Sequence, residues 1–104
     1  AEKENDYIMK LSTKDYIYMI LSEKEKEIIE ALKNNDFIVG VNPRLGTYTT
    51  VIAFPNHKGD LVSSKYIYNI ETYKTQATAK KLAKEIKELI KNDDRFKECI
   101  QWNF

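Results

Sequence analysis

The sequence predicts an α+β fold: an antiparallel sheet packed by two helices, in the order ββαβββα, with room for a short C-terminal strand. Three observations carry this. Residues 74–91 repeat apolar side chains at helical spacing. Three stretches between 37 and 70 are rich in Val, Ile, Thr and Tyr and are separated by Pro/Gly turn chemistry. Strands joined by hairpins, with amphipathic helices on either side of them in sequence, bury their apolar surface by laying helix on sheet. The 104 residues are 42% hydrophobic and 32% charged, which suits one core in one domain, 1–104, and is too apolar for a disordered chain.

Tyr7–Leu11 and Asp15–Leu21 are short runs rich in Tyr and Ile around the polar Ser12-Thr13-Lys14, and are read as a hairpin. That reading puts Tyr16, Tyr18 and Ile20 on one sheet face and Ile17, Met19 and Leu21 on the other. The rival is one long helix starting near Ser12. Against it, helical spacing from Ile17 and Leu21 would carry Lys24 and Glu25 onto the apolar face. Ser22-Glu23-Lys24-Glu25 has the form of a capping box, so a helix is expected from about Glu23 to Asn34. Ile28, Ile29 and Leu32 fall on one side of it, Glu23, Glu27 and Glu30 on the other, and Asn34-Asn35-Asp36 ends it.

Phe37–Val41 is then a strand and Asn42-Pro43-Arg44-Leu45-Gly46 a turn, with Pro presetting φ and Gly open to positive φ. Tyr48–Phe54 is the next strand, Pro55–Asp60 a turn, and Leu61–Ile70 a third strand with Val62, Tyr66, Tyr68 and Ile70 on one face. A long helix follows from about Thr75 to Lys91, its core stripe made of Ala79, Leu82, Ala83, Ile86, Leu89 and Ile90. The alternation of Ile100, Trp102 and Phe104 in Cys99–Phe104 suits a last edge strand.

Composition narrows the setting. The longest apolar run, Tyr16–Leu21, is far short of the ~20 residues that span a bilayer, so no membrane is expected. Residues 1–6 are charged of both signs and have no signal-peptide apolar stretch. A lone Cys99 forms no intrachain disulfide, which favours a reducing, cytoplasmic location. Fifteen Lys against two Arg, with twelve Ile and eight Asn, point to an AT-rich coding genome.

Catalysis finds little support. His57 and Cys99 are the only His and the only Cys, one in a tight turn and one leading an apolar tail, so they do not make a nucleophile–base pair. The three glycines are scattered, leaving no phosphate loop, and two Cys/His residues are too few for a structural zinc. Glu23/Glu27/Glu30 and Asp93-Asp94 lie on polar faces or at a helix end, where nothing raises a carboxylate pKa. No enzyme activity, cofactor or metal is expected.

Charge is polarised instead. Residues 1–36 carry six Lys and nine acids, a net of −3, whereas residues 74–91 carry six Lys and two Glu, a net of +4. At 100° per residue, Lys80, Lys84, Lys87 and Lys91 fall within about 60° of one another, and the apolar stripe is centred roughly 130° away. Lys74 and Lys81 add to that end. A ridge of ammonium groups suits a row of phosphates or an acidic protein patch. The plainer reading is a solvated face with Glu85 and Glu88 as ion-pair partners. Arg44, near a turn tip, could reach a phosphate or carboxylate bidentately, or be an ordinary turn residue. Tyr16, Tyr18, Tyr48, Tyr66 and Tyr68 could stack on bases from an open sheet face, although helices covering the sheet favour packing for them.

Residues 22–91 have the helix–three strands–helix order of a double-stranded-RNA-binding domain, and Thr78-Ala79-Lys80-Lys81-Leu82-Ala83-Lys84 is similar to the KKxAK start of that family's second helix. The resemblance implies that Lys80, Lys81 and Lys84 contact phosphates across a groove. The family's glycine-rich approach to this helix is replaced here by Glu71-Thr72-Tyr73. Its Pro-x-His loop is matched in letters by Pro55-Asn56-His57, but one strand too late. Residues 46–91 also resemble the arm-type DNA-binding domain at the N-terminus of tyrosine integrases: a glycine-led strand, a Lys-Gly turn, a second strand, then Tyr73-Lys74-Thr75 and Ala79 opening a helix.

The expected function is therefore a non-enzymatic binding module that contacts a polyanion, nucleic acid first, through Lys74, Lys80, Lys81, Lys84, Lys87, Lys91 and Arg44. The alternative is a small protein-interaction or inhibitor protein, phage or mobile-element encoded, acting on a host protein. It would work through Glu23, Glu27 and Glu30 or through Trp102 and Phe104, a terminal aromatic pair of the kind that anchors interfaces. The acidic front and near-zero net charge favour this alternative, because a dedicated nucleic-acid binder usually carries more positive charge.

Overall fold

The computed structural model of the chain describes residues 12–55 and 65–99. Helix α1 spans Thr13–Glu23, α2 spans Glu25–Lys33 and α3 spans Gln76–Lys91; strands β1, β2 and β3 span Ile38–Arg44, Thr47–Pro55 and Lys65–Tyr73. The strands form one antiparallel sheet in the order β1-β2-β3. The fold is α+β with three helices, so the described part reads ααβββα.

The expected hairpin over residues 7–21 is not what forms. Tyr7–Leu11 lies outside the described residues, and Asp15–Leu21 is helix. Ser12 caps it: its Oγ accepts from the Asp15 N–H at 3.1 Å, and Asp15 sits in the first turn, where a carboxylate favours the helix dipole. Ile17, Ile20 and Leu21 turn inward together at 3%, 1% and 0% exposure, a helical spacing rather than an alternation. The objection to a helix fails because the helix does not continue straight. Lys24 leaves helical geometry (φ −112°, ψ 23°), and α2 restarts at Glu25. Lys24 and Glu25 thus escape the apolar face. The Lys24 ammonium instead lies 4.5 Å from the Tyr66 ring centroid.

The capping box is not realised either. Ser22 is inside α1, and α2 starts without a side-chain cap. Both polar members of the expected box meet Arg95 instead: its Nη1 donates to Ser22 Oγ and to Glu25 Oε1, each at 3.4 Å. The other end of α2 follows expectation. Asn35 takes a left-handed φ of 59°, which Asn tolerates, and the Asp36 N–H donates to the Ala31 carbonyl at 2.8 Å.

The first turn is shorter than expected. Asn42, Pro43 and Arg44 belong to β1, leaving Leu45-Gly46 as the loop, with Gly46 at φ 75°. Pro43 is acceptable in a strand here because β1 is an edge. Between β2 and β3 the register shifts at Thr50/Val51, which pair with Glu71 and Asn69, so Ile70 is the extra residue of a bulge. The bulge keeps Glu71 on the face of Tyr66, Tyr68 and Ile70, where its carboxylate accepts from Thr13 Oγ1 at 2.9 Å. The turn Pro55–Asp60, the start of the third strand and the C-terminal strand fall largely outside the described residues. Cys99 itself closes a 3-10 turn, Lys97–Cys99.

All three helices lie on one face of the sheet. Ile17, Ile20 and Leu21 of α1, Ile28, Ala31 and Leu32 of α2, and Ala83, Ile86 and Ile90 of α3 join Val39, Ile52, Phe54 and Ile70 in one core, with Phe37 and Phe96. Thr50, fully buried on this face, donates its hydroxyl to the Ala79 carbonyl at 2.9 Å and ties β2 to α3. The opposite face carries Ile38, Gly40, Asn42 and Arg44 of β1, Thr47, Thr49, Val51, Ala53 and Pro55 of β2, and Lys65, Ile67, Asn69 and Thr72 of β3. Ile38 and Ile67 there are 45% and 63% exposed. No helix of the described residues is long and apolar enough to cross a membrane.

Candidate nucleic-acid interface

The lysines of α3 are presented by a capped helix of sixteen residues. Thr75 is the N-cap; its Oγ1 accepts from the Thr78 N–H at 3.4 Å and contacts Thr78 Oγ1 at 2.7 Å. Ala79, Ala83, Ile86 and Ile90 face the sheet. The small Ala79 and Ala83 let this end of the helix approach β2, and Thr50 fixes the height.

The two flanks of α3 differ. On one, Leu82, Glu85, Ile86 and Leu89 face Thr13, Lys14 and Ile17 of α1 across an open groove of about 320 Å³. Glu85 also lies near Tyr73, whose phenol is pushed up, first by burial and then by Glu71 and Glu85. α3 packs across all three strands, most closely on β1 and β2, while α1 meets the sheet at β3, so the other flank of α3 is the one turned away from α1. Lys80, Lys84, Lys87 and Lys91 project from that flank, roughly 100° from the buried stripe.

The ridge is not uniform. Lys80, Lys81 and Lys84 are exposed, whereas Lys87 and Lys91 are half-buried and hold interactions of their own. Glu85 and Glu88 form no ion pair with any described residue, so the neutralising partners considered from the sequence are not engaged. Lys74, exposed just ahead of the cap, extends the positive end. Arg44 is exposed but does not join the ridge: strand alternation puts it on the sheet face opposite α3.

The tyrosines considered for base stacking are not on the open face. Tyr66 and Tyr68 lie on the helix-covered face and pack on Phe54, with ring centroids at 5.3 and 5.9 Å. Tyr48 is on that face too, and Tyr16 and Tyr18 are helical. Burial, partly opposed by Lys24, pushes the Tyr68 phenol up.

The acidic strip expected on one helix is divided. Glu23 ends α1, at the negative end of its dipole, while Glu27 and Glu30 belong to α2 beyond the break. Trp102 and Phe104 lie outside the described residues. What sequence reasoning missed is Arg95. Its Nε and Nη2 donate to the two oxygens of Asp93 at 3.0 and 2.9 Å, and its backbone N–H donates to Asp93 Oδ1 at 2.9 Å. These bonds hold the Asp93 carboxyl below the usual carboxylate range. The spacing Asp93-x-Arg95 was the available signal. The group braces the end of α3 against the α1–α2 junction, with four of the five guanidinium N–H groups engaged.

Comparison with known proteins finds no matching family model, no matching curated protein and no matching solved structure.

Proposed function

We propose that the chain is a non-enzymatic binding module that holds a nucleic acid along the exposed flank of α3. The observation that carries this is the set Lys80, Lys81 and Lys84: three exposed ammonium groups within five residues of one helix, none paired with a carboxylate among the described residues. Unpaired lysines on a rigid helix suit phosphates, which they neutralise with release of counterions. The order helix, three antiparallel strands, helix from α2 to α3 supports the same reading, because it is the order that the resemblance to the double-stranded-RNA-binding domain requires. The rival mimicry of an acidic surface loses its continuous strip at Lys24.

The test is a salt titration of binding to duplex DNA and duplex RNA of the same sequence, followed by fluorescence anisotropy. Three phosphate contacts give a log–log slope of roughly −2 to −3, from about −0.9 per contact. Lys80→Glu with Lys84→Glu weakens binding to all sequences alike, since phosphate contacts carry no sequence information. A double variant that keeps the affinity and slope of the wild type removes α3 from the binding surface. If the wild type binds neither duplex at low salt, the reading fails and the protein-interaction alternative leads.

A further inference from the structure

The β1–β2 hairpin ends in a two-residue loop, Leu45-Gly46, closed by the pair Arg44 and Thr47. Gly46 turns the chain at φ 75°, and Leu45 is left 103% exposed, the most exposed of the described large apolar side chains. The register sets what lies around it. Tyr73, the last residue of β3, pairs with Tyr48, and Tyr48 with Pro43, so β3 stops one row short of the hairpin end. Lys74 follows at that end and leads into the Thr75 cap. The Thr50 hydroxyl, bonded to the Ala79 carbonyl, holds the start of α3 over the row of Val41 and Thr50. That row is three residues from Thr47, or about 10 Å. Exposed Lys74, Lys80 and Lys81 therefore stand at the hairpin end on the helix side of the sheet, and exposed Arg44 stands there on the other side. Glu71 is the one carboxylate on the described strands, and it accepts from Thr13.

We infer that this hairpin tip is a second contact of the α3 site, and that the ligand is duplex DNA with an interrupted base stack, such as a mismatch, into which Leu45 is wedged. The inference rests on the proposed polyanion contact of α3. Cations on both sides of the tip complement a polyanion. The base faces are the apolar surface of such a ligand, and stacking hides them until it is broken. Leucine is one of the side chains that wedge between base steps. In an intact duplex the wedge must first unstack a step, at a cost comparable with what burying one leucine returns. At a mismatch much of that cost is absent. The net gain therefore appears where the stack is already interrupted. DNA is the source because the wide major groove of the B-form admits a two-stranded ribbon, whereas the narrow major groove of A-form RNA admits no side chain. Arg44, beside the wedge, presents a guanidinium to the phosphates.

The experiment is fluorescence anisotropy of the full chain on labelled duplexes of one sequence, matched and with one central mismatch, each made as DNA and as RNA. Matched and mismatched duplexes carry the same phosphates, so the α3 lysines meet the same charge in both. The variant is Leu45→Ala. Leu45 stands wholly in solvent, so circular dichroism and Tm stay as in the wild type. The expected result is that the wild type binds mismatched DNA roughly tenfold or more tighter than matched DNA. Leu45→Ala brings that ratio close to one, while its affinity for matched DNA and its salt slope stay as in the wild type. Equal affinity of the wild type for matched and mismatched DNA overturns the inference and leaves the α3 reading standing. A preference that survives Leu45→Ala overturns it too, and assigns the preference to the softness of the duplex. A preference as strong on RNA as on DNA overturns the choice of DNA. A wild type that binds no duplex at low salt overturns the α3 reading and this inference together.

Discussion

The two faces of the sheet are made by alternate residues of the same strands, yet they serve opposite ends. On the covered face Thr50, Ile52 and Phe54 are all at 0% exposure and take part in a core shared by three helices. On the other, Ile38 and Ile67 stand in solvent, and Thr49 and Thr72 share a hydroxyl contact of 2.9 Å at the surface. The difference teaches that strand propensity made the sheet, while the shared core was built on one parity; on the other parity of β2 Ala53 alone is buried, at 6% exposure, outside that core. Stability should therefore respond to substitution with a period of two along β2.

The largest effect is expected at Phe54, which stacks with Phe37 and Tyr68 and packs on Tyr66. Phe54→Ala should cost about 3–5 kcal/mol through lost transfer energy and a residual cavity, read as a lower urea midpoint. A cost under 1 kcal/mol would mean that this face is not the core. Next comes Thr50→Val, nearly isosteric, which removes the hydroxyl bond to the Ala79 carbonyl. About 1 kcal/mol is expected, because the carbonyl keeps its helical acceptor role, and amide exchange around Ala79 should quicken.

A smaller contribution braces the covered side from the end of α3. Asp93 is held below its ordinary value of 3.8 by hydrogen bonds from Arg95. A depressed folded-state pKa makes this contribution fully present above the unfolded value, and it is lost as pH falls through the folded one. Urea midpoints of the wild type should therefore fall below about pH 4, and Asp93→Asn should flatten that part of the profile. An equal acid dependence in the variant would assign it to other carboxylates. The smallest effect belongs to the open face. Thr49→Ala should change stability by no more than about 0.5 kcal/mol, read as the urea midpoint. A loss near that of Thr50→Val would erase the distinction between the faces.

Much of this was legible locally. The stripe of α3, the strand β2, the parity of Tyr66, Tyr68 and Ile70, and the stop at Asn34-Asn35-Asp36 each follow from spacing or from a residue's own backbone preference. Asp15–Leu21 was not legible, because a six-residue apolar run such as Tyr16–Leu21 satisfies both periods and length is the only local arbiter. The lysines were legible as a row, but their division into exposed Lys80, Lys81 and Lys84 and half-buried Lys87 and Lys91 was not, since periodicity reports direction and not what else packs nearby.

By itself the sequence determined the α+β class, the antiparallel strands, the basic character of α3 and its apolar stripe, all of which depend on residues within a few positions of one another. Only the tertiary structure decided that α1 is a helix broken from α2 at Lys24, that Ser22 and Glu25 serve Arg95, and that all three described helices lie on one sheet face. Those outcomes depend on partners distant in the chain: Arg95 is 73 and 70 residues from Ser22 and Glu25, and Glu71 is 58 from Thr13. A side chain with two local options takes the one that its distant partner satisfies, and no window of neighbouring residues contains that partner.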